Sequence, residues 1–165
     1  MNKDCIDVIV DQWSKELPEL QVWPTGLAGR LVKIGAQVRK TTDELLAPLE
    51  LTWETFEIIA ALRRNGAPYC LNATALQGMV LVTSGAITNR IDRAETAGLI
   101  TRSRSDKDRR AVLVTLTSKG VEVAETAMSR YYAHYARFFD YMDVPTRTQF
   151  ADTLRSILQK LEEGE

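Results

Sequence analysis

The chain has 165 residues, of which 45% are apolar and 26% are charged, and its net charge is −1. These values are typical of one globular domain, and no apolar run approaches the roughly 20 residues that span a bilayer. The first residues lack the apolar segment of a signal peptide, so we expect a cytoplasmic protein with no membrane partner. Cys5 and Cys70 have no metal-like spacing, which indicates reduced thiols, and we expect neither metal nor cofactor.

The charge is unevenly distributed. Residues 1–71 hold 8 Lys and Arg against 10 Asp and Glu, residues 72–120 hold 8 against 4, and residues 121–165 hold 5 against 8. The middle of the chain therefore has a charge of +4 between two acidic ends. Positive potential concentrated on one surface favours a nucleic-acid partner, even though the whole chain is nearly neutral.

The first part of the chain predicts two helices. Residues 6–17 form a short amphipathic pattern, and a longer stripe runs from Leu27 to Val38 at spacings of 4, 3 and 4. Pro48 ends or kinks the longer helix.

The middle predicts a helix-turn-helix and a hairpin. Thr52 is the expected N-cap of a helix that Gly66 ends. Residues 71–98 then read as a short helix, a turn near residues 80–83, and a longer helix that ends at Gly98. Two alternating segments, 99–104 and 111–116, flank the charged tip Ser105–Arg110.

The last part predicts two long helices. Thr117 or Ser118 caps the first, whose stripe runs from Val121 to Met142, and Pro145 opens the second. Seams this regular favour a helical partner, so we expect a homodimer. Its expected contact residues are Leu31, Ile34, Tyr131, Tyr135, Phe138, Leu154, Ile157 and Leu161.

These elements predict a mainly α-helical fold with a small two- to three-stranded β wing, a winged helix-turn-helix with terminal dimerisation helices. We expect a single domain over residues 1–165. Within it, residues 1–48 and 118–165 form the dimerisation region, and residues 49–117 form the DNA-binding region.

The helix after the turn has a polar outward face. On a helical wheel Ile87 and Ile91 share the buried side, whereas the opposite side carries small and polar residues near the N-terminal end. A recognition helix contacts base edges with these positions. With the wing, the predicted DNA-binding residues are Ser84, Gly85, Thr88, Asn89, Arg93, Arg104, Lys107 and Arg109.

Two acids in the wing tip have a predicted orienting role. Asp106 favours the turn by bonding its own backbone, and Asp108 holds the guanidinium of Arg109 before it enters a narrow groove. An increase in DNA affinity on Asp108→Ala would contradict this role.

Arg90 lies on the flank of the buried side of its helix, so it needs an anionic partner. In the helix predicted over residues 52–65, Glu57 and Arg64 lie on the same side, two turns apart. Glu57 is the candidate partner of Arg90. A surface arrangement without consequence is the alternative.

The segment "TSGAITNRIDRAETAGLITRSRSDKDRRAVLVTLTSKG", residues 83–120, resembles the MarR-type winged helix-turn-helix regulators, and the resemblance extends along nearly the whole chain. It implies a homodimer on a pseudo-palindromic operator in double-stranded DNA, with recognition helices in successive major grooves and wings at the minor groove. It also implies repression relieved by a small-molecule effector.

The chain is also similar to the urate-responsive subgroup of that family, through "VDQWSKELPEL", "FEIIAALRRNG" and "TSGAITNR". This resemblance implies a ligand-binding set of Trp13, Glu57, Arg64 and Arg90. The subgroup usually has Asp at the position of Glu57, and the added methylene changes the reach of the carboxylate. The expected effector is therefore a small anionic aromatic or purine-like ligand.

The sequence also bears on three other functions. A redox-sensing regulator would use Cys70 or Cys5, although no basic cluster adjoins Cys5 in the sequence. An enzyme is disfavoured because His134 is the single histidine and no catalytic motif stands out. A protein-interaction module is disfavoured by the basic middle and the polar recognition face.

Overall fold

The structure is a computed structural model that describes residues 2–80, 87–104 and 111–164. Its elements, in chain order, are α1 (Cys5–Glu16), α2 (Trp23–Leu46), a short 3-10 turn (Ala47–Leu49), α3 (Trp53–Arg64), β1 (Cys70–Asn72), α4 (Ala73–Gln77), α5 (Ile87–Thr96), β2 (Ile100–Arg104), β3 (Val112–Leu116), α6 (Ser118–Phe138) and α7 (Val144–Glu162). The predicted mainly helical fold with a small wing is confirmed.

Local signals set the helix ends where the sequence predicted them. The Thr52 side chain accepts a hydrogen bond from the third residue of α3, and Thr117 does the same at the start of α6. Gly66 and Gly98 follow α3 and α5 with φ of +84° and +70°, a conformation that glycine adopts without steric cost.

The turn between α6 and α7 corrects the predicted helix boundaries. α6 ends at Phe138, so the stripe from Val121 to Met142 is not a single helix. α7 begins at Val144, where the side chain of Asp143 caps it. The apolar pattern continues through the turn because the ring of Phe139, just past the helix, stacks against Tyr135.

The sheet has three antiparallel strands in the order β1-β3-β2. β2 and β3 form the predicted hairpin, with Arg102 opposite Val114. β1 adds a third strand on the other side of β3, where Leu71 pairs with the same Val114. The predicted two- to three-stranded wing allowed for this strand but did not place it, because β1 has only three residues and pairs with a strand more than 40 positions away.

The hydrophobic core lies in the winged region. α3 contributes most of its fully buried side chains, and α5, β2 and β3 cover them. α6 also packs on this core along one side, whereas α2 reaches it mainly through Leu46. Its principal members are Leu46, Phe56, Ile58, Ile59, Leu62, Leu76, Ile91, Leu99, Ile100, Val114, Ala124 and Ala127.

A polar contact joins α2 to α6. Thr42 is fully buried, and its hydroxyl lies 2.8 Å from the hydroxyl of Tyr135. The Tyr135 hydroxyl also donates to the carbonyl oxygen of Val38 at 3.0 Å. These bonds satisfy polar atoms that would otherwise be costly to bury between the two helices.

The start of α6 is held tightly against the end of α5. Thr117 donates to the carbonyl oxygen of Gly98 at 2.8 Å, and Lys119 donates to that of Ala97 at 2.9 Å. A Cβ atom added at Gly120 would lie 1.9 Å from the carbonyl oxygen of Leu99. Because that obstacle is backbone, only glycine permits this approach.

The outer helices leave much apolar surface exposed. α7 has no buried residue, and its Leu158 and Leu161 are 59% and 65% exposed. On α2, Leu31 and Ile34 are likewise exposed. No helix in the described part of the chain has the length and apolarity needed to cross a membrane.

Candidate nucleic-acid interface and adjoining cavity

The outward face of α5 carries the polar residues that the helical wheel predicted. Thr88, Asn89 and Arg93 are exposed, while Ile87 and Ile91 are buried against the core. Amide, hydroxyl and guanidinium groups on one exposed helical face suit base edges and phosphates.

Several predicted positions lie outside the described residues. Ser84 and Gly85 precede α5, and the wing tip contains Lys107 and Arg109 with the predicted orienting acids Asp106 and Asp108. Arg104 is described, and it is exposed at the end of β2, on the approach to the wing tip.

Arg102 links the wing to α5, a role that the sequence prediction missed. Its Nη2 donates to the Asp92 carboxylate, and its Nε lies 3.5 Å from Oε2 of Glu95. The strand alternation could have indicated it, because Arg102 is two positions before Arg104 and therefore on the same face. What the sequence could not give is the distance between that face and α5.

The structure pairs Glu57 with Arg90, as the wheels suggested. Nη1 of Arg90 donates to Oε2 of Glu57 at 2.5 Å, and their side chains are only 12% and 7% exposed. The pair joins α3 to α5. A buried, charge-assisted bond of this kind holds two helices together because breaking it leaves a charge in a poorly solvated place.

A cavity of about 200 Å³ lies on the α3 side of this pair. Glu57 belongs to its wall, and Arg64, which donates to the carbonyl oxygen of Met79, is at its edge. The sequence prediction missed its aromatic and sulfur-containing lining residues, which are Trp53, Phe56, Met79, Met128, Tyr131 and Tyr132. Aromatic walls next to charged groups suit a flat, polar ligand.

The cavity wall is connected to α2 through Arg39. Its guanidinium lies 5.6 Å from the centre of the Trp53 ring and donates to Glu54 at 2.5 Å and to Asp43 at 3.0 Å. Burial alone would raise the pKa of Glu54, but hydrogen bonds, chiefly the one from Arg39, lower it to about 2.

Comparisons with known proteins identify the family. Residues 51–112 match the MarR family model. The HTH-type transcriptional regulator PecS of Dickeya dadantii (strain 3937) is 34% identical over 112 residues, which cover 68% of each chain. This chain belongs to the MarR family. It is thus related to winged-helix transcriptional regulators, and members of this family bind DNA.

Solved MarR-family structures share the fold of this chain. A mutant of MarR from E. coli in complex with operator DNA has a TM-score of 0.70 at 22% identity, over 88% of this chain and 97% of that one. The organohalide-sensing regulator RdhR, bound to 2,4-dichlorophenol, has a TM-score of 0.77 at 16% identity, over 88% and 84%. At these identities the likeness shows the fold alone.

Trp13 lies apart from the cavity residues in this MarR-family chain. It is on α1, is 49% exposed, and is not among the described side chains that line the cavity. α1 packs against α2, where Arg30 holds Asp4 and Asp7. Trp53, on α3, is the tryptophan that the fold places beside Glu57.

The two cysteines have different surroundings. Cys5 is exposed, and Nζ of Lys33 donates to its sulfur at 2.7 Å, a hydrogen bond that raises the pKa of Lys33. No basic cluster adjoins Cys5 in the sequence, but the packing of α1 on α2 brings in one basic residue from 28 positions away. Cys70 is partly buried in β1.

The predicted dimerisation residues fall into two groups. Tyr131 and Tyr135 are partly buried within their own chain, where Tyr131 packs against the ring of Phe56. Leu154 is also partly buried. The second group is exposed and consists of Leu31, Ile34, Phe138, Ile157 and Leu161.

His134 is partly buried on α6, with its ring against that of Tyr135. Within residues 2–80, 87–104 and 111–164, no group of three or more His, Cys, Asp or Glu side chains is arranged to hold a metal ion.

Proposed function

We propose that this MarR-family protein is a homodimeric repressor that binds a pseudo-palindromic DNA operator and is released by a small, anionic, aromatic or purine-like ligand. The observation that carries the proposal is the buried pair of Glu57 and Arg90. It connects the wall of a cavity to the helix whose outer face carries Thr88, Asn89 and Arg93.

The DNA-binding part of the proposal assigns residues 49–117 to recognition. Asn89 and Thr88 read base edges in the major groove, and Arg93 contacts a base or a phosphate. The wing, with Arg104, Lys107 and Arg109, contacts the minor groove and the backbone. The complex of the related E. coli protein with operator DNA supports this assignment. We expect the protein to act in the cytoplasm.

The dimer would form through residues 1–48 and 118–165. Its support is the apolar surface that α2 and α7 leave uncovered, including Leu31, Leu158 and Leu161. A single chain gains nothing from this surface in water, whereas a second copy would bury it. Two recognition helices at a fixed separation then select two half-sites of the operator.

The ligand class follows from the cavity. Trp53 and Tyr131 supply flat apolar contacts, and Arg64 supplies a cation at the edge. An anionic ligand beside Glu57 competes with that carboxylate for Arg90. Loss of the bond to Glu57 would change the position of α5 and lower the affinity for the operator.

Similarity to the urate-responsive subgroup makes urate one candidate within this class, with Trp13, Glu57, Arg64 and Arg90 as its binding set. Trp13 enters this set through the resemblance alone. Because Glu57 places a carboxylate one methylene further out than Asp would, related purines and small aromatic acids are candidates of equal standing.

The test measures fluorescence anisotropy of DNA from upstream of the gene, titrated with the protein and then with urate, related purines or small aromatic acids. We expect tight binding by the native protein and release by one ligand class. We expect Arg90→Ala to need a much higher ligand concentration for release. The double variant Glu57→Gln/Arg90→Met repeats the test without leaving a buried carboxylate opposite a missing cation.

The matched control is Arg93→Ala, on the same helix but exposed. It should bind DNA more weakly and keep the normal ligand concentration for release. Normal ligand response of the Arg90 variants would contradict the proposed ligand mechanism, and absence of DNA binding by the native protein would contradict the function.

A redox-sensing regulator is the second candidate, and the contact between Lys33 and Cys5 favours it. Cys5 is exposed, so peroxide can reach its sulfur. In that case mild peroxide would release the protein from DNA, and Cys5→Ser would abolish the response whereas Cys70→Ser would not. Unchanged DNA binding after peroxide treatment would dismiss this candidate.

A further inference from the structure

Arg102 makes a lateral connection between the wing and α5. It lies at the centre of β2, and its guanidinium reaches two acids one turn apart on α5, Asp92 and Glu95. Asp92 is 52% exposed and shares the outward side of the helix with Asn89, so a negative charge stands on the surface proposed to meet DNA.

The guanidinium of Arg102 is well covered. Its side chain is 28% exposed, and Nε is buried with no hydrogen-bond partner in the part of the chain that the structure describes. Poor solvation strengthens its attraction to the carboxylates of Asp92 and Glu95 relative to a fully exposed pair. The same burial keeps Arg102 from extending freely to a phosphate.

The ion pair of Arg102 adds a directional contact to the apolar packing of α5. Ile87, Ile91 and Ala94 fix how deeply the helix sits on the core, but hydrophobic contacts are not directional. An ion pair with a strand on one side of the helix opposes rotation about the helix axis. Such a rotation would move Asn89 away from a base edge, where hydrogen bonding depends steeply on geometry.

We propose that Arg102 is a positioning residue for DNA recognition: by binding Asp92 and Glu95 it sets the orientation of α5 relative to the wing, without contacting DNA itself. This inference rests on the proposed DNA-binding function.

Arg104 is the natural comparison. It is two residues further along β2, so both side chains leave the strand on the same face. Arg104 is exposed, and within the described residues it forms no ion pair. Its charge is therefore available to a phosphate, whereas that of Arg102 is already satisfied.

The experiment measures the affinity of the full-length protein for operator DNA over a range of salt concentrations. A lost phosphate contact lowers the slope of log affinity against log salt by about 0.9. We expect Arg104→Met to show this decrease. We expect Arg102→Met to keep the native slope, to weaken operator binding roughly fivefold, and to leave binding to unrelated DNA unchanged. A reduced slope for Arg102→Met, or native operator affinity, would overturn the proposal.

Asp92→Asn supplies an independent arm that does not depend on Arg102→Met folding well. If Asp92 helps to hold Arg102, the substitution weakens operator binding, and the double variant is no weaker than Arg102→Met alone. If Asp92 only repels phosphate, its removal increases affinity and the proposal fails. Because native binding is measured first, failure of the proposed function would be seen before either variant is tested.

Discussion

The winged region and the outer helices of this chain bury their apolar side chains in different ways. α3 places seven of its twelve residues in the interior, whereas α7 places none of its nineteen there. Both helices are amphipathic and both have an N-cap whose side chain binds the first turn. The difference therefore lies in what covers the apolar side, and not in the helices themselves.

This contrast teaches that the two regions depend on different partners for stability. The winged region buries Ile58, Ile59 and Leu62 in a core that α6 helps to cover with Ala124 and Ala127. The outer helices have side chains of the same kind, such as Leu158, in contact with solvent. We infer that the first region is stabilised by its own fold and the second by the proposed second copy.

The largest expected effect is on the outer helices. Leu158→Glu places a charge in the apolar surface of α7, and burying that charge would cost more than the interface gains. We expect the protein to become monomeric at micromolar concentration, as measured by sedimentation or light scattering. The winged region should remain folded, so helical circular dichroism should largely persist.

Ser156→Glu is the control for this change, because it adds the same charge at an exposed polar position of α7. It should leave the protein as the native oligomer. A dimeric Leu158→Glu variant would contradict the assignment of α7 to the interface.

A smaller effect is expected inside the winged region. Arg90→Met leaves Glu57, which is 8% exposed, without its guanidinium partner. We expect the free energy of unfolding to fall by about 3 kcal/mol in a urea titration. Adding Glu57→Gln should recover much of this loss, because the buried group is then neutral. An equal decrease in the free energy of unfolding for Arg90→Met and for the double variant would show that the charge pair is not what stabilises this site.

The smallest effect concerns the seam between the two regions, where Arg39 of α2 binds Glu54 of α3. The pKa of Glu54 is lowered from 4.5 to about 2, so its stabilising contribution is complete above pH 4.5 and disappears as the pH falls toward 2. Arg39→Gln should therefore lower the free energy of unfolding by about 1 kcal/mol at neutral pH and by almost nothing near pH 2.

Urea titrations at neutral pH and at several acidic values would measure this convergence. The control is Arg155→Gln, which removes an exposed pair within α7 and should leave stability unchanged at every pH. If the free energies of unfolding of the native protein and of Arg39→Gln differed by the same amount at every pH, the role of Glu54 ionisation would be contradicted.

The sequence predicted the elements that depend on local chemistry. Thr52 and Thr117 cap their helices, and Gly66 and Gly98 follow helices with positive φ, because each of these effects involves residues within a few positions. The helical wheel also placed Arg90 beside the buried side of α5, where its positive charge requires an acidic partner. The partner itself, Glu57, depended on how α3 packs on α5.

What the sequence did not predict depends on packing between distant segments. β1 exists because it finds an edge of β3, and its three residues carry no periodicity of their own. Trp53 rather than Trp13 lines the cavity, since a helical stripe shows which side is covered and not by what. The contact of Lys33 with Cys5 has the same origin.

The close backbone contact at Gly120 affects how α6 can move relative to the winged region. The backbone of α6 touches that of Leu99 there, and the 21 residues of α6 extend about 30 Å, with the glycine near one end. A rotation of α6 about this close contact would move the far end of the helix the most. A tilt of about 3° at this contact displaces the far end by about 1.5 Å. In the proposed dimer, such a tilt would change the separation of the two recognition helices without any change in the winged regions themselves.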